Sequence, residues 1–500
     1  MILSPRQIYK DFKDGNLEKQ SAINQLITLI NNSDDIKQRI ESIEVLGEIG
    51  SKDQQTFILL ENLLISDSNE KVRIAAIKSI KSNFIEKAFK PMKWAFQHES
   101  SISCLIGIIS TLGEINKERV KSFLIKRIKK IDIYQFTKSL NSLLKSKEIY
   151  KFTVKRLSEI LNNYIVIKHF EEKFTDINYS LKNGLIISLD LSGISANVFG
   201  WNILRKLPEF IGVLKYLKKL DLKFNRIAKL PNSIGNLKDL TYLDLSNNNL
   251  RSLPESIGTS NSLETLILKY NKITKIPNSI GKLKQLKILD LRHNNLNTIP
   301  IEINNLDNLE ILDLHGNKLN TLPKLVEGLK SLKKLELGLN SIKTLPEWIT
   351  NIHSLKILGL GGNKISLTFV LLSKLESLEE LNLYDNNIKE LPDEIGLLNS
   401  LKTLILRNNQ LNILPESFKN LKSLRELDLS WNNLTTLPEW IDSLSSLEEL
   451  NLWGNNLKFL PPSIINLSSL KVLNLNFNKF IRKIPDSLKI LQNRGLKIYK

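Results

Sequence analysis

From about residue 184 to the carboxyl terminus, hydrophobic and polar positions follow one repeating frame, L-x-x-L-x-L-x-x-N-x-L-x-x-L-P-x-x-I. The stretch 240–257 shows it completely. The asparagine returns every 23 residues, at Asn225, Asn248, Asn271, Asn294, Asn317, Asn340, Asn363, Asn386, Asn409, Asn432, Asn455 and Asn478. About twelve units of fixed length predict a solenoid, in which each unit buries its apolar face against its neighbours.

Each unit of this frame predicts one short strand and one crossover. In L-x-L the leucines point to one side of a strand and the intervening residues to the other. A parallel strand can follow only after a crossover, so the P-x-x-I stretch predicts a short helical or irregular turn with proline at its start. We expect a curved solenoid with a leucine interior. Buried asparagine amides need backbone partners, which predicts a hydrogen-bonded asparagine ladder.

The frame departs from regularity at three places. Upstream, Leu189 and Leu191 begin a strand but Ile194 replaces the asparagine, which predicts an irregular first repeat over residues 184–208. Phe369 takes the proline position of a later repeat. Leu496-Lys-Ile498 predicts a final edge strand, a short carboxyl-terminal cap.

The amino-terminal part has no 23-residue period and places apolar residues at helical spacing, which predicts stacked helices over residues 1–170. A weaker repeat runs through it. The triplet at residues 40, 43 and 46 recurs at residues 74, 77 and 80, and again at 106, 109 and 112; Leu46-Gly-Glu-Ile49 returns as Leu112-Gly-Glu-Ile115. We therefore expect a helical repeat domain at residues 1–175 and a second domain at 176–500.

These motifs resemble two known families. The stretch Leu230-Pro-Asn-Ser-Ile-Gly235 is similar to the leucine-rich repeat superfamily, in the 23-residue form of intracellular ras-group scaffolds. The helical part, with Val72-Arg-Ile-Ala-Ala76 in its middle unit, resembles HEAT-type repeats. The resemblance implies an α/β solenoid: a curved leucine-rich-repeat horseshoe with a parallel concave sheet, preceded by an all-α HEAT-like helical solenoid.

For function, the resemblance implies protein–protein recognition on the concave face. The expected role is a non-enzymatic interaction scaffold or adaptor in signalling, and a small GTPase or its regulator is the first partner class implied by analogy. The helical part would either form a second binding surface or only cap the exposed edge of the first leucine-rich repeat.

Composition narrows the class of protein without naming a function. The chain of 500 residues is 42% hydrophobic and carries a net charge of +19, of which +8 falls in residues 1–183 and +11 in the remainder. A charge spread in this way does not by itself make a nucleic-acid site. The amino terminus lacks the apolar core of a secretory signal, no stretch is apolar enough for a membrane span, and Cys104 is the single cysteine. These features predict a cytoplasmic protein.

Few residues of the sequence form a known catalytic or cofactor-binding motif, so we expect neither an enzyme nor a bound cofactor. No phosphate-binding loop, zinc-protease motif or nucleophile elbow occurs, and Cys104 lies in an apolar helical context typical of a core residue. The repeat frame brings His293 and His315 beside Asp290, Asp313 and Arg292. Two imidazoles and two carboxylates suit a metal, but the arginine opposes a cation, and a solvated strand face has the same composition.

The outward strand positions offer better candidates for binding a partner. One column, here the aspartate column, carries carboxylates in its amino-terminal half; its members are Asp221, Asp244, Asp290, Asp313 and Glu336. Stacked like charges need compensation, which Lys223, Lys269 and Arg292 can supply. Two interpretations stay open: a self-neutralised solvated face, or a surface that accepts a basic segment of the partner.

A second set, the aromatic row, consists of Tyr384, Trp431, Trp453 and Phe477 at exposed strand or bend positions. Large aromatic side chains are typical anchors of protein interfaces. Trp348 and Trp440 fall on the crossovers instead, where we expect them to pack against neighbouring turns.

The alternative function rests on a basic helix near residues 119–130. Its cations are Arg119, Lys121, Lys126, Arg127, Lys129 and Lys130, opposite a row of apolar residues. Such a helix could bind anionic lipid or nucleic acid at the periphery, although the same pattern is typical of any solvated amphipathic helix. A specific nucleic-acid site is not expected.

Overall fold

The computed structural model describes residues 3–194, 204–323, 328–365, 369–479, 488–493 and 495–500. The chain divides into two units. The first contains the described residues up to Asp190 together with Pro208–Leu217, and the second contains Leu191–Gly193, residues 204–207 and the chain from Lys218 onward. The predicted boundary between residues 175 and 176 stays a prediction, and residues 195–203 of the predicted first repeat lie outside the described residues.

The first unit is helical, as predicted. Its α-helices are α1 Pro5–Lys13, α2 Lys19–Asn32, α3 Ile36–Ile49, α4 Gln54–Ser66, α5 Glu70–Asn83, α6 Phe89–His98, α7 Ile102–Leu112, α8 Glu118–Ile128, α9 Tyr134–Lys145 and α10 Val154–Lys173. Side chains of Asp35, Asp53 and Asn69 cap helix amino termini, because each accepts a hydrogen bond from a backbone N–H of the first turn. No helix among the described residues is both long and apolar enough to cross a membrane.

The periodic apolar residues of the first unit form its core. Helix α3 packs on α5, α5 packs on α7, and α10 packs on α7 and α8. The repeated positions Leu46, Ile80 and Leu112 are fully buried at these contacts. Their spacing therefore reflects helices that are stacked in sequence order. Each helix buries its apolar face against a neighbouring helix.

A hairpin that the sequence reasoning did not predict ends the first unit. Strand β1 (Asn178–Lys182) pairs antiparallel with β2 (Leu185–Asp190). Asn183 and Gly184 connect them, both with positive φ. An Asn-Gly pair between two strands is the standard signal for this turn, because both residues tolerate the left-handed region.

The second unit consists of short parallel strands. They are β3 Lys219–Asp221, β4 Tyr242–Asp244, β5 Thr265–Ile267, β6 Ile288–Asp290, β7 Ile311–Asp313, β8 Lys334–Glu336, β9 Ile357–Gly359, β10 Glu380–Asn382, β11 Thr403–Ile405, β12 Glu426–Asp428, β13 Glu449–Asn451, β14 Val472–Asn474 and β15 Lys497–Tyr499. From β3 to β14 each residue pairs with the residue 23 positions later, as Leu243 does with Leu266. Strand β15 pairs with β14 and confirms the predicted final edge strand.

The crossovers are single turns of 3₁₀ helix. They span Asn232–Asn236, Glu255–Thr259, Asn278–Lys282, Ile301–Asn305, Glu347–Asn351, Asp393–Leu397, Glu416–Asn420, Glu439–Ser443 and Pro462–Asn466. A proline precedes each one, and its carbonyl accepts the first i→i+3 bond, as Pro231 does from Ile234. At Phe369, where the proline is missing, the short α-helix α11 (Phe369–Leu372) begins instead. The described part also includes α12 (Leu488–Asn493).

The asparagine ladder is confirmed. Asn294 donates from Nδ2 to the carbonyls of Leu268 and Leu291, and its Oδ1 accepts from the backbone N–H of Ile273. The same three bonds recur from Asn248 to Asn478. Each amide thus joins two adjacent turns and satisfies backbone groups that would otherwise be buried without partners.

Candidate functional site

The outward face of the sheet carries its side chains in columns, because equivalent residues of successive repeats lie side by side. The aspartate column occupies the last position of each strand. Two residues further along lies a second column, and the next residue, directly before the ladder asparagine, forms a third. These columns bring together the candidate residues of the sequence analysis.

The aspartate column is less accessible than expected. Asp221, Asp244, Asp290 and Asp313 expose only 4%, 6%, 7% and 8% of their surface, and Glu336 is half-buried. The expectation of solvent-facing aspartates is therefore wrong. The reason is local, since each carboxylate turns back to accept the N–H of the residue two positions on, as Asp244 does from Ser246 at 2.9 Å. Asn382 and Asn451 do the same.

Two of the three cations predicted to compensate this column, Lys223 and Arg292, pair with it, whereas the pairing of Lys269 stays a prediction. Lys223 Nζ lies 3.0 Å from Asp221, and Arg292 lies 2.7 Å from Asp290 and 3.3 Å from Asp313. Glu336 pairs with Lys334 at 3.2 Å. The hydrogen bonds that Arg292 donates to Asp290 hold the pKa of Arg292 above its usual value. Four of the five carboxylates are thus paired with a cation within the chain, and Asp244 accepts hydrogen bonds from Ser246 and Tyr242 instead.

The histidine cluster is a ring stack. His293 stacks on Tyr270 with ring centroids 4.5 Å apart and meets His315 edge-on at 5.4 Å. Burial, and then the neighbouring His293, lower the pKa of His315. Among the residues that the structure describes, no group of three or more acidic, histidine or cysteine side chains is arranged to hold a metal ion.

The third column has a shared backbone feature that the sequence reasoning missed. Its residues all have positive φ, from 49° to 69°. They are Phe224, Asn247, Tyr270, His293, Gly316, Leu339, Gly362, Asp385, Asn408, Trp431, Gly454 and Phe477. This left-handed column contains glycine, asparagine and aspartate, the residues that tolerate such a backbone, and their recurrence in the sequence could have revealed it. Bulky residues there cost conformational energy.

Three members of the aromatic row form a continuous contact at the carboxyl-terminal end of the sheet, and Tyr384 is not part of it. The rings of Trp431 and Trp453 lie 5.4 Å apart, and those of Trp453 and Phe477 lie 5.9 Å apart. Trp431 is 44% exposed and Phe477 is 69% exposed, whereas Tyr384 and Trp453 are half-buried. The indole Nε1 of Trp453 is shielded from solvent and has no hydrogen-bond partner among the described residues.

A cavity of about 760 Å³ opens beside this row. Its lining residues are Tyr384, Asp385, Ile405, Arg407, Asn408, Asp428, Trp431 and Trp453. The guanidinium of Arg407 lies 5.9 Å from the centre of the Trp453 ring. The sequence reasoning did not select Arg407, which is one more outward position of the same frame.

The crossover tryptophans and Cys104 lie where they were expected. Trp348 donates from Nε1 to the carbonyl of Pro323 at 2.9 Å, and Trp440 packs on Phe418 with ring centroids 6.3 Å apart. Both therefore contact neighbouring turns. Cys104 is fully buried in the first unit, which raises the pKa of its thiol to about 11.

The basic helix is α8 with the two lysines that follow it, and three of its six cations lie against aromatic rings of its own unit. Arg119 covers Phe89, Arg127 lies over Phe96 and Phe123, and Lys129 bonds to the hydroxyl of Tyr150 at 2.8 Å. Cation–π contacts of this kind explain the clustering of charge without an external ligand.

Comparison with known proteins points to one family. The sequence profile described as "Leucine-rich repeat region" matches residues 232–294, 278–384 and 363–488, and a second profile, "Leucine Rich Repeat", matches residues 216–237. No functionally curated protein matches the chain.

Several solved structures are similar to parts of this chain. A leucine-rich repeat protein of Leptospira interrogans is 32% identical, with 62% of this chain and 95% of that one covered and a TM-score of 0.46. An internalin of Listeria monocytogenes is 19% identical, with coverages of 75% and 96% and a TM-score of 0.53. The Arabidopsis receptor kinase HAESA, solved with the peptide hormone IDA and the co-receptor SERK1, is 26% identical, with coverages of 59% and 55% and a TM-score of 0.44. This chain spans about half of the HAESA chain.

Proposed function

We propose a protein-binding function for this chain, which belongs to the leucine-rich repeat family, whose members are generally scaffolds for protein–protein interaction. In this proposal the chain is a non-enzymatic scaffold or adaptor. The partner binds the outward, concave face of the sheet at the aromatic row. The aspartate column, which is buried and internally paired, takes a smaller part than the sequence suggested and mainly sets the shape of that face.

The exposed ring stack of Trp431, Trp453 and Phe477 is the single observation that carries the proposal. Large aromatic side chains exposed side by side lose hydrophobic stabilisation that a partner can restore. Trp431 and Phe477 also lie in the left-handed column, where glycine would fit without strain. Two unfavourable features at the same side chains, only partly offset by their ring contacts with Trp453, favour a role outside the chain.

The more specific parts of the proposal rest on the resemblance of the sequence to known families. We propose that the repeats are of the 23-residue ras-group type, that the first unit is a HEAT-like array, and that the protein acts in signalling in the cytoplasm. A small GTPase or its regulator is the first partner class to test. The single buried thiol, Cys104, supports a reducing compartment.

Affinity capture from native cytosol with a matched set of variants tests this function. The variants are wild type, the double variant Trp431→Ala/Trp453→Ala, and the control Phe459→Ala. Phe459 is 59% exposed in the same unit but lies outside the strands. We expect one or more proteins to bind wild type and the control, and to be lost at least about tenfold from the double variant, because central aromatic anchors dominate interfaces.

Salt concentration separates this function from the alternative at α8. Binding dominated by phosphate weakens steeply between about 50 and 200 mM salt, whereas an aromatic-anchored interface loses mainly association rate. Equal capture by the double variant would contradict the concave site. Capture of nucleic acid or anionic vesicles that disappears with salt, and that the double variant retains, would transfer the function to α8.

A further inference from the structure

The carboxyl-terminal half of the sheet carries three glutamates that are not neutralised in the way the aspartate column is. Glu380, Glu426 and Glu449, here the acidic row, occupy the first position of β10, β12 and β13. Glu426 and Glu449 are register partners on adjacent strands, a like-charge arrangement that destabilises a sheet. In the described part of the chain, no cation lies within salt-bridge distance of any of the three.

Within this row, Glu426 is surrounded by like charges. The pKa of Glu426 is raised, first by burial and then by the charges of Glu449, Asp428 and Glu380. The adjacent row of residues at the strand entrances is different, because its glutamates are paired with lysine or arginine. Glu379 lies between Lys356 and Lys402, and Glu448 contacts both Arg425 and Lys471. The chain has 71 basic residues, yet none of those that the structure describes pairs with these three outward glutamates.

The acidic row and the aromatic row lie on the same outward face of neighbouring repeats, and the three glutamates lie outside the lining of the cavity. Asp428 lines the cavity and lies two residues from Glu426 on the same face of β12, and Trp431 follows three residues later. Within this repeat, the outward face therefore carries an unpaired carboxylate at the start of the strand and an exposed ring after the end of the strand. The one cation of the cavity, Arg407, lies near the face of Trp453 and shows that this ring accepts a guanidinium.

We propose that this outward face, from the acidic row to the aromatic row, binds an extended, arginine- or lysine-rich segment of the partner protein. The basic side chains pair with Glu380, Glu426 and Glu449, and the aliphatic stems and guanidinium planes lie on Trp431 and Trp453. Charge complementarity selects this occupant, because a cation restores the pairing that the acidic row lacks and removes its internal repulsion. The inference rests on the proposed function of the concave face and adds the chemistry of the partner.

Fluorescence anisotropy with two labelled 12-residue peptides tests the charge of the occupant. Both contain serine, glycine and one leucine; one carries four arginines and the other carries four glutamates at the same positions. The full chain is titrated at about 0.15 M salt. We expect the arginine peptide to bind at least about tenfold more tightly than the glutamate peptide. The comparison is stringent, because the net charge of +19 favours the glutamate peptide everywhere else on the molecule.

Two double variants locate the binding. Glu426→Gln/Glu449→Gln removes two charges of the acidic row and should weaken the arginine peptide about tenfold. Glu264→Gln/Glu310→Gln removes two glutamates that are paired with Lys287 and Lys333, and should leave binding within about twofold. The melting temperature of Glu426→Gln/Glu449→Gln should be no lower than that of wild type, because the variant relieves repulsion between the two glutamates. A loss of peptide binding by this variant would therefore not be due to unfolding.

The outcomes separate the two proposals. Tighter binding of the glutamate peptide, no binding of the arginine peptide up to about 1 mM, or equal effects of the two double variants would each overturn the basic-segment inference. If any of these occurs while Trp431→Ala/Trp453→Ala still abolishes capture of a protein partner, the concave site stands with a different occupant. If that capture is also unaffected, both proposals fail.

Discussion

At the scale of single residues, the left-handed column shows how the repeat accommodates side chains that its backbone disfavours. Gly316, Gly362 and Gly454 occupy this position without strain, whereas Trp431 has φ 55°. An L residue pays roughly 1 kcal/mol for this conformation, and glycine pays almost nothing. The tryptophan is thus retained at a cost to stability.

This cost can be measured at Trp431. We expect Trp431→Gly to be more stable than Trp431→Ala by about 1 kcal/mol, because only glycine relieves the backbone. At Trp440, within a 3₁₀ turn, the order should reverse. Urea denaturation measures the free energy of unfolding of the four variants. If the alanine variant is the more stable one at both positions, the backbone of Trp431 is not strained.

The ladder asparagines are the second residue-scale feature. Asn294→Ala leaves the N–H of Ile273 buried without a partner, removes one of two amide donors from each of the carbonyls of Leu268 and Leu291, and should lower the free energy of unfolding by about 2 kcal/mol. Asn297→Ala, at an exposed position of the same repeat, should change it by less than about 0.5 kcal/mol. Denaturant unfolding followed by circular dichroism measures both, and equal losses would contradict the structural role of the ladder.

Asp313 gives a prediction for pH. Burial raises the pKa of its carboxyl from 3.8 to about 6, with Asp290 and Glu336 adding to the shift and Arg292 opposing it. Because the folded state holds the proton more tightly than the unfolded state, this group stabilises the fold as the pH falls from 7 to 5, by about 1 kcal/mol. The advantage of wild type over Asp313→Asn should therefore grow by that amount between pH 7 and pH 5. An advantage that is constant over this range would refute the raised pKa.

At the scale of elements, the crossovers pack turn against turn. A Cβ added at Gly235 would lie 2.2 Å from the carbonyl oxygen of Ser256 in the next turn. Gly258 and Gly281 meet their neighbours in the same way. Glycine is thus required by the close approach of two backbones.

Substitution at this position tests the packing. Gly235→Ala should lower the free energy of unfolding by about 2 kcal/mol, since the turns must separate to admit a methyl group. Asp442, which occupies the equivalent position of a later repeat, already has a side chain, and Asp442→Ala should cost much less. Thermal unfolding of the two variants measures both losses of stability. Similar losses for Gly235→Ala and Asp442→Ala would contradict the close approach of the two turns.

The elements of the second unit were predictable because their signal is repeated. Strand positions, proline-led turns and the ladder each appear many times in the sequence, so chance matches are excluded. The β1–β2 hairpin occurs once, and its Asn183-Gly184 turn was missed. The burial of Asp221 was missed for another reason: alternation gives the side of the strand, but not whether a short side chain bonds back to its own backbone.

At the scale of the whole molecule, the local charge of one surface is opposite in sign to the net charge of the chain. The chain has a net charge of +19, yet the outward face near the aromatic row carries Glu380, Glu426 and Glu449, which pair with no cation among the described residues. The sequence suggested an acidic surface in the amino-terminal repeats, where the structure has internal pairs with Lys223 and Arg292. Spacing alone could place the columns, but the pairing of each charge depends on side-chain geometry in three dimensions.

The most direct test of the account is hydroxyl-radical footprinting of the full chain, alone and with the protein captured by wild type, with oxidation measured at each aromatic side chain. The account predicts that the partner protects Trp431, Trp453 and Phe477 at least about threefold, and leaves Phe459 and Phe224, which are both 59% exposed, unchanged. Protection at Phe459 or in α8, with the aromatic row as reactive as in the free chain, would contradict binding at the concave face.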